Sequence, residues 1–191
     1  MIRAMNRALF LDRDGVLDEL VYYESSGEWE SPRAIEDIVR IDDVLEPLET
    51  LAAAGWLLFV VTNQPSYAKG KVSRESLEAV HEAIIAPLPI TRAYVCFHHP
   101  EAVLDDWRIA CDCRKPGTRF LQEAAAEFDV DLRASWMVGD QDSDLLCGRA
   151  AGCRVALLEH HGSAHKRGAV EPDVRVDSVR ELAAILLAEG R

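Results

Sequence analysis

The chain has 191 residues, 49 % hydrophobic and 28 % charged, which is ample for a packed core and rules out wholesale disorder. Acidic side chains outnumber basic ones 33 to 21, a net charge of −12 that repels phosphate backbones and excludes a general nucleic-acid binder. No window approaches the roughly 20 apolar residues of a membrane span. The run Ala8–Leu11 meets acid too early for a secretory leader, so the expected setting is the cytoplasm, with no membrane partner.

Ala8-Leu9-Phe10-Leu11, stopped by Asp12, has the pattern of a buried strand. Residues 19–42 are polar without clear period and read as a loop or flap. Val44, Leu45, Leu48 and Leu51 fall at helical spacing within 43–54, and Gly55 follows. Residues 56–61, Trp-Leu-Leu-Phe-Val-Val, form the strongest strand pattern. Ser73 caps a helix through about Ala86, which Pro87 and Pro89 stop. Residues 93–97 read as a third strand and 98–115 as irregular. Pro116 reads as an early residue of a helix reaching Phe128. Residues 136–138 make a fourth strand ending in Gly139-Asp140, before a helix over 142–151 and Gly152. Strands at 155–158 and 174–176, a mobile loop over 159–173 between them, and a helix at about 178–188 follow. This alternation implies an α/β class: a doubly wound, Rossmann-like parallel sheet flanked by helices, with 1–191 as a single domain.

In such sheets ligands bind at the carboxyl ends of the strands. Four of those ends carry polar chemistry. Asp12 and Asp14 are two residues apart, an arrangement that is costly unless a cation compensates. A hard divalent ion with oxygen ligands suits them, with Asp140 as a third carboxylate. Thr62, a hydroxyl followed by backbone N–H groups, suits a phosphate. Taken alone, Asp14-Gly15 is also an ordinary turn and Lys115 an ordinary surface lysine. The joint order of acid pair, hydroxyl, lysine and acid carries the weight.

Cys96-x-His98 and Cys111-x-Cys113 flank residues 99–110. Three thiolates and one imidazole match a closed structural Zn²⁺ site with no open position for catalysis. His99 adjoins His98, but side-chain direction favours one of the two. The odd count of five cysteines weakens a disulfide framework, and Cys147 and Cys153 read as buried thiols. The loop, about 96–115, runs into Arg114-Lys115, so its ion would set the position of both cations. Trp29, Trp56, Trp107 and Trp136 read as core or loop anchors, with Trp107, inside the loop, the one placed to touch substrate.

Leu11-Asp12-Arg13-Asp14-Gly15-Val16, Val61-Thr62-Asn63-Gln64, Cys113-Arg114-Lys115-Pro116 and Val138-Gly139-Asp140 with Asp144 together resemble the haloacid dehalogenase superfamily of phosphatases and phosphotransferases. The resemblance spans about residues 7–158. Cys96-Phe97-His98-His99-Pro100 and Cys111-Asp112-Cys113 narrow it to the zinc-loop subfamily of heptose 1,7-bisphosphate phosphatases and histidinol-phosphatase domains. That subfamily lacks a large cap domain, and this chain has no room for one.

The resemblance implies Asp12 as a nucleophile that forms an aspartyl-phosphate, and Asp14 as general acid and then base. It implies Mg²⁺ held by Asp12, the Asp14 backbone carbonyl and Asp140. Thr62 and the Asn63 N–H would hold phosphoryl oxygens, Lys115 would offset charge, and Asp144 would support the site. The implied substrate is a small phosphorylated sugar, D-glycero-D-manno-heptose 1,7-bisphosphate losing its 7-phosphate. Histidinol phosphate is the alternative within this chemistry, and a catalytically silent zinc-stapled binding module the alternative of another class. Arg114 is expected to hold the phosphate that is not cleaved, the plainer reading being an ion pair with Asp112. A monomer is expected. Two departures from the family pattern fall on the substrate side: Pro65-Ser66 in place of Ser-Gly, and Gln141 in place of Lys.

Overall fold

The computed structural model describes residues 5–189, so both ends of the expected 1–191 unit lie outside the described residues. Its strands are β1 (Ala8–Leu11), β2 (Val21–Tyr23), β3 (Glu28–Glu30), β4 (Leu57–Asn63), β5 (Arg92–Cys96), β6 (Trp136–Gly139), β7 (Arg154–Leu158) and β8 (Val174–Val176). Its helices are α1 (Leu45–Ala53), α2 (Arg74–Ile85), α3 (Arg119–Phe128), α4 (Asp142–Ala151) and α5 (Val179–Glu189). Six strands form one sheet in the order β5-β4-β1-β6-β7-β8, parallel at every pairing. The chain runs outward from β1 through β4 and β5, then returns to the other side of β1 for β6, β7 and β8. That reversal beside β1 opens a crevice above the strand ends.

The two-residue period of the strands divides the core. Leu9, Leu11, Leu58, Val60, Trp136 and Val138 face one side, packed with Leu48 and Leu51 of α1, Val80 and Ile84 of α2, and Leu182 and Leu186 of α5. Ala8, Phe10, Phe59, Val61, Met137 and Val155 face the other, with Leu121 of α3 and Leu145 of α4. Burial on both faces explains why these strands read as continuous apolar runs rather than alternating ones. Each fully buried Leu or Phe contributes about 1.5–3 kcal/mol.

Helix ends follow the expected chemistry. Ser73 Oγ accepts the Ser76 N–H at 3.1 Å to open α2. Gly152 closes α4 at φ +95°.

The structure differs from expectation in four places. Residues 21–30 of the flap form an antiparallel hairpin, β2 with β3. β4 runs from Leu57 to Asn63, two residues past the expected 56–61, so Thr62 and Asn63 are its last residues. Pro116 precedes α3, which starts at Arg119. Gly117 N–H donates to the Arg114 carbonyl, and Arg119 N–H reaches back to the Asp112 carbonyl, so this stretch folds on itself as a turn. Residues 159–173 contain a 3-10 helix, His161–Lys166, with Gly162 and Ser163 buried. Asp142 accepts the N–H groups of Gly168, Ala169 and Val170 and ties that segment to α4.

Candidate active site

Each expected chemical group stands at the carboxyl edge of the sheet. Asp12 follows β1, and its N–H donates to the Val138 carbonyl at 2.9 Å, which registers it against β6. Thr62 is 1 % exposed at the end of β4, and Asp140 is fully buried after β6. Two glycines allow the approach. A Cβ on Gly15, at φ +81°, would lie 2.6 Å from Asp140 Oδ2, and one on Gly139 would lie 2.2 Å from Asp144.

Lys115 Nζ lies 2.7 Å from Asp12 Oδ1, 2.7 Å from Asp144 Oδ1 and 2.7 Å from the Val61 carbonyl. Burial opposes its charge, but the two carboxylates hold its pKa above the ordinary lysine range. Burial pushes Asp12 up to about 7, against the pull of Lys115 and with a push from Asp144. Burial, then Asp144 and Asp12, push Asp140 up to about 8. Both oxygens of Asp140 are buried without a hydrogen-bond partner. One oxygen each of Asp12, Asp140 and Asp144 lie within 4.8 Å of one another. Three crowded carboxylates, one of them with both oxygens orphaned, fit a hard divalent cation.

Asp14 turns to Arg13, which donates to its Oδ1 at 2.7 and 3.2 Å. Burial would raise its pKa, but the Arg13 charge together with hydrogen bonds from Arg13, Ser31 and Gln64 lowers it. Arg13 is itself fully buried, with Asp18 at 3.7 Å. The Asn63 side chain clamps the segment before α3: its Oδ1 accepts the Lys115 N–H and its Nδ2 donates to the Lys115 carbonyl.

Above this floor lies a pocket of about 390 Å³, sized for a small molecule. Glu28, Trp29, Glu30 and Ser31 of the hairpin form one wall, and Lys69, Lys71, His99 and Arg114 another. Lys71 pairs with Glu30 at 2.6 Å. Among the described residues Lys69 and Arg114 make no ion pair; Arg114 Nη1 donates to the His98 carbonyl, and Asp112 faces Arg119 at 3.5 Å instead. Burial, then Lys71 and Arg114, lower the pKa of Lys69. Gln141 also lines the pocket.

Cys96, His98, Cys111 and Cys113 converge as the spacing requires. Cys113 Sγ lies 3.1 Å from Cys111 Sγ, 3.4 Å from Cys96 Sγ and 3.5 Å from His98 Nδ1. Cys96 Sγ lies 3.6 Å from Cys111 and 3.8 Å from His98 Nδ1. Four ligands held tetrahedrally at about 2.0–2.3 Å sit about 3.5–3.8 Å apart, so the cluster can hold a metal ion. His99 points elsewhere: its Nδ1 accepts the Glu101 N–H and its ring lines the pocket. Trp107 stacks on His98 at 5.4 Å, behind the cluster. Trp29, not Trp107, is the tryptophan that faces the pocket, pressed against His161 at 4.6 Å.

The sequence points to residues 19–42, the 64–72 loop and the cysteine–histidine loop as the segments that shape the pocket, and all three line it, but it does not single out Trp29, Ser31 or Lys69 within them, nor Lys166. The usable signal was Trp29 itself, an aromatic residue placed between two glutamates in a polar flap.

A model of HAD-hydrolase-like proteins matches residues 112–182. The D-glycero-beta-D-manno-heptose-1,7-bisphosphate 7-phosphatase of Rhodopseudomonas palustris is 33 % identical over 150 residues, 76 % of this chain and 79 % of that protein. The D-glycero-alpha-D-manno-heptose-1,7-bisphosphate 7-phosphatase of Burkholderia mallei is 35 % identical over 160 residues, 80 % of this chain and 79 % of its own. The crystal structure of the D,D-heptose 1,7-bisphosphate phosphatase from B. bronchiseptica, complexed with magnesium and phosphate, superposes with a TM-score of 0.76 at 25 % identity, covering 96 % of this chain and 99 % of that one.

Proposed function

This chain belongs to the haloacid dehalogenase superfamily, in the family of the heptose bisphosphate phosphatases, and from that membership we propose that it hydrolyses a phosphate ester of a small sugar. The leading substrate is D-glycero-D-manno-heptose 1,7-bisphosphate, losing its 7-phosphate. The observation that carries this reading is the contact of Asp12 with Lys115 on the floor of a pocket whose wall holds two cations, Lys69 and Arg114, that make no ion pair among the described residues.

Asp12 attacks phosphorus, forming the aspartyl-phosphate as the bond to the sugar oxygen breaks. Asp14 gives that oxygen its proton. Asp14 then takes a proton from water, the water oxygen bonds to phosphorus, and the Asp12–phosphorus bond breaks to release phosphate. Thr62 Oγ1 and the Asn63 N–H hold phosphoryl oxygens, and Lys115 balances charge on nucleophile and phosphate. Asp144 holds Lys115 in place. Mg²⁺, held by Asp12, the Asp14 backbone carbonyl and Asp140, would neutralise the reacting phosphate. Arg114 and Lys69 bind the phosphate that stays, relieving their mutual repulsion.

Zn²⁺ on Cys96, His98, Cys111 and Cys113 would fix the backbone leading into Arg114. The chain acts as one unit, a monomer in the cytoplasm; among the described residues no helix is long and apolar enough to cross a membrane. The test is phosphate release with Mg²⁺ from a panel of sugar mono- and bisphosphates and histidinol phosphate. The heptose bisphosphate should lead the panel. Silence toward every phosphomonoester would overturn the reading in favour of a binding module.

A further inference from the structure

Asp14 has every acceptor position filled. Its Oδ1 takes two N–H bonds from Arg13, and its Oδ2 takes Gln64 Nε2 at 2.5 Å and Ser31 Oγ at 2.9 Å. A carboxylate offers about four such positions. The partners are not alike. Arg13 is fully buried, and parting from Asp14 would strand its charge beside Asp18. Gln64 is fully buried, also donates to Thr62 Oγ1 at 2.9 Å, and has its N–H tied to the Cys96 carbonyl. Both belong to the sheet edge.

Ser31 does not. It follows β3, is half-buried, and lines the pocket wall. The residue before it, Glu30, reaches across to Lys71 at 2.6 Å, in the loop after β4, and is braced by Arg33 at 3.0 Å. The hairpin therefore joins two walls of the pocket at successive residues.

We propose that Ser31 is a positioning residue for Asp14: seating the β2–β3 hairpin over the pocket places its hydroxyl on Oδ2 and fixes the carboxylate plane for proton transfer to the sugar oxygen. A hydroxyl suits the task in both halves of the reaction. It donates to the carboxylate and, by rotating, accepts from the carboxylic acid. A purely donating side chain could serve one state only, and a hydrophobic one neither. This inference rests on the phosphatase reading and adds a residue to it.

The test compares two substrates through kcat/KM, which reports steps up to departure of the leaving group. A sugar phosphate leaves as an alkoxide and needs the proton. p-Nitrophenyl phosphate leaves as a stabilised phenolate and does not. Ser31→Ala should lower kcat/KM for the sugar phosphate by about 10-fold, the scale of one hydrogen bond to a charged group. It should leave kcat/KM for p-nitrophenyl phosphate unchanged, and Ser31→Thr should restore the loss. Equal loss on both substrates would mean a structural role only and overturn the proposal, as would no loss on either. Wild-type protein inactive on both substrates would overturn the phosphatase reading itself, and this inference with it.

Discussion

The carboxylate floor and the cysteine–histidine loop each pack polar side chains together, but by opposite means. Asp12, Thr62 and Asp140 leave the ends of three adjacent parallel strands, each buried on both faces. Ladder hydrogen bonds and two cores hold them before anything binds. The other cluster takes Cys96 from the end of β5 and its remaining ligands from a loop whose only regular element is the 3-10 turn Asp105–Trp107. Little apolar burial holds that loop, so its order depends on what its thiols bind. The lesson is a division of labour. The scaffold sets Asp12, Thr62 and Asp140, whereas on the proposed reading a bound ion would set Arg114.

The largest expected effect is on the floor. Asp12→Asn should abolish phosphate release while thermal denaturation shows a Tm unchanged or raised, because one of several crowded carboxylates has gone. A large fall in Tm would mean the floor is not held by the scaffold and break the comparison. Cys111→Ser should act in reverse, costing about 4 kcal/mol of stability, the class of effect that follows loss of a bound metal. Elemental analysis should find one zinc per wild-type chain and little in the variant. A zinc-free, equally stable wild type would remove the contrast.

Arg114 stands where the two regions meet. Arg114→Ala should weaken kcat/KM for a sugar bisphosphate by about 2–3 kcal/mol, with far less effect on a monophosphate of similar size. Equal losses would place Arg114 with the reacting phosphate instead. The smallest effect is on pH. With Asp12 near 7 and Asp140 near 8 in the cation-free protein, both bind protons more tightly folded than unfolded. Their contribution to stability is therefore present at low pH and lost as pH rises from about 4 through 8. Mg²⁺ competes with those protons, so its affinity should rise from pH 6 to 8 and flatten above, by at most about tenfold per pH unit per proton. Calorimetric titrations at several pH values check the slope.

Most of the sheet was legible because strands buried on both faces appear as short apolar runs, and Asp12, Thr62 and Asp140 stand at the ends of three of them. The Cys-x-His and Cys-x-Cys pairs were legible because ligand spacing is local. The hairpin was not. Strands of three residues, Val21–Tyr23 and Glu28–Glu30, are too short to establish a period. Ser31 escaped for another reason, as did the role of Gln64 within the quoted Val61–Gln64 motif: both act by meeting Asp14 across the fold, a contact that local spacing does not show. Pro116 misled because a proline that opens a helix and one that shapes the turn before it look alike in sequence.

The pairing of β1 with β6 also bears on how the molecule is made. The Ala8 N–H donates to Ser135 Oγ across 127 residues, and Leu9 to Leu11 lie in register with Trp136 to Val138. Until β6 emerges from the ribosome, β1 lacks one of its two neighbours, and Asp12 lacks Asp140 and Asp144. A nascent chain can form the β1–β4–β5 half and still contain no complete site. Contacts so distant in sequence form slowly and leave an apolar strand edge open meanwhile. Hydrolytic competence thus waits for β6 and the start of α4, and chains cut short of them should burden chaperones rather than consume phosphate esters.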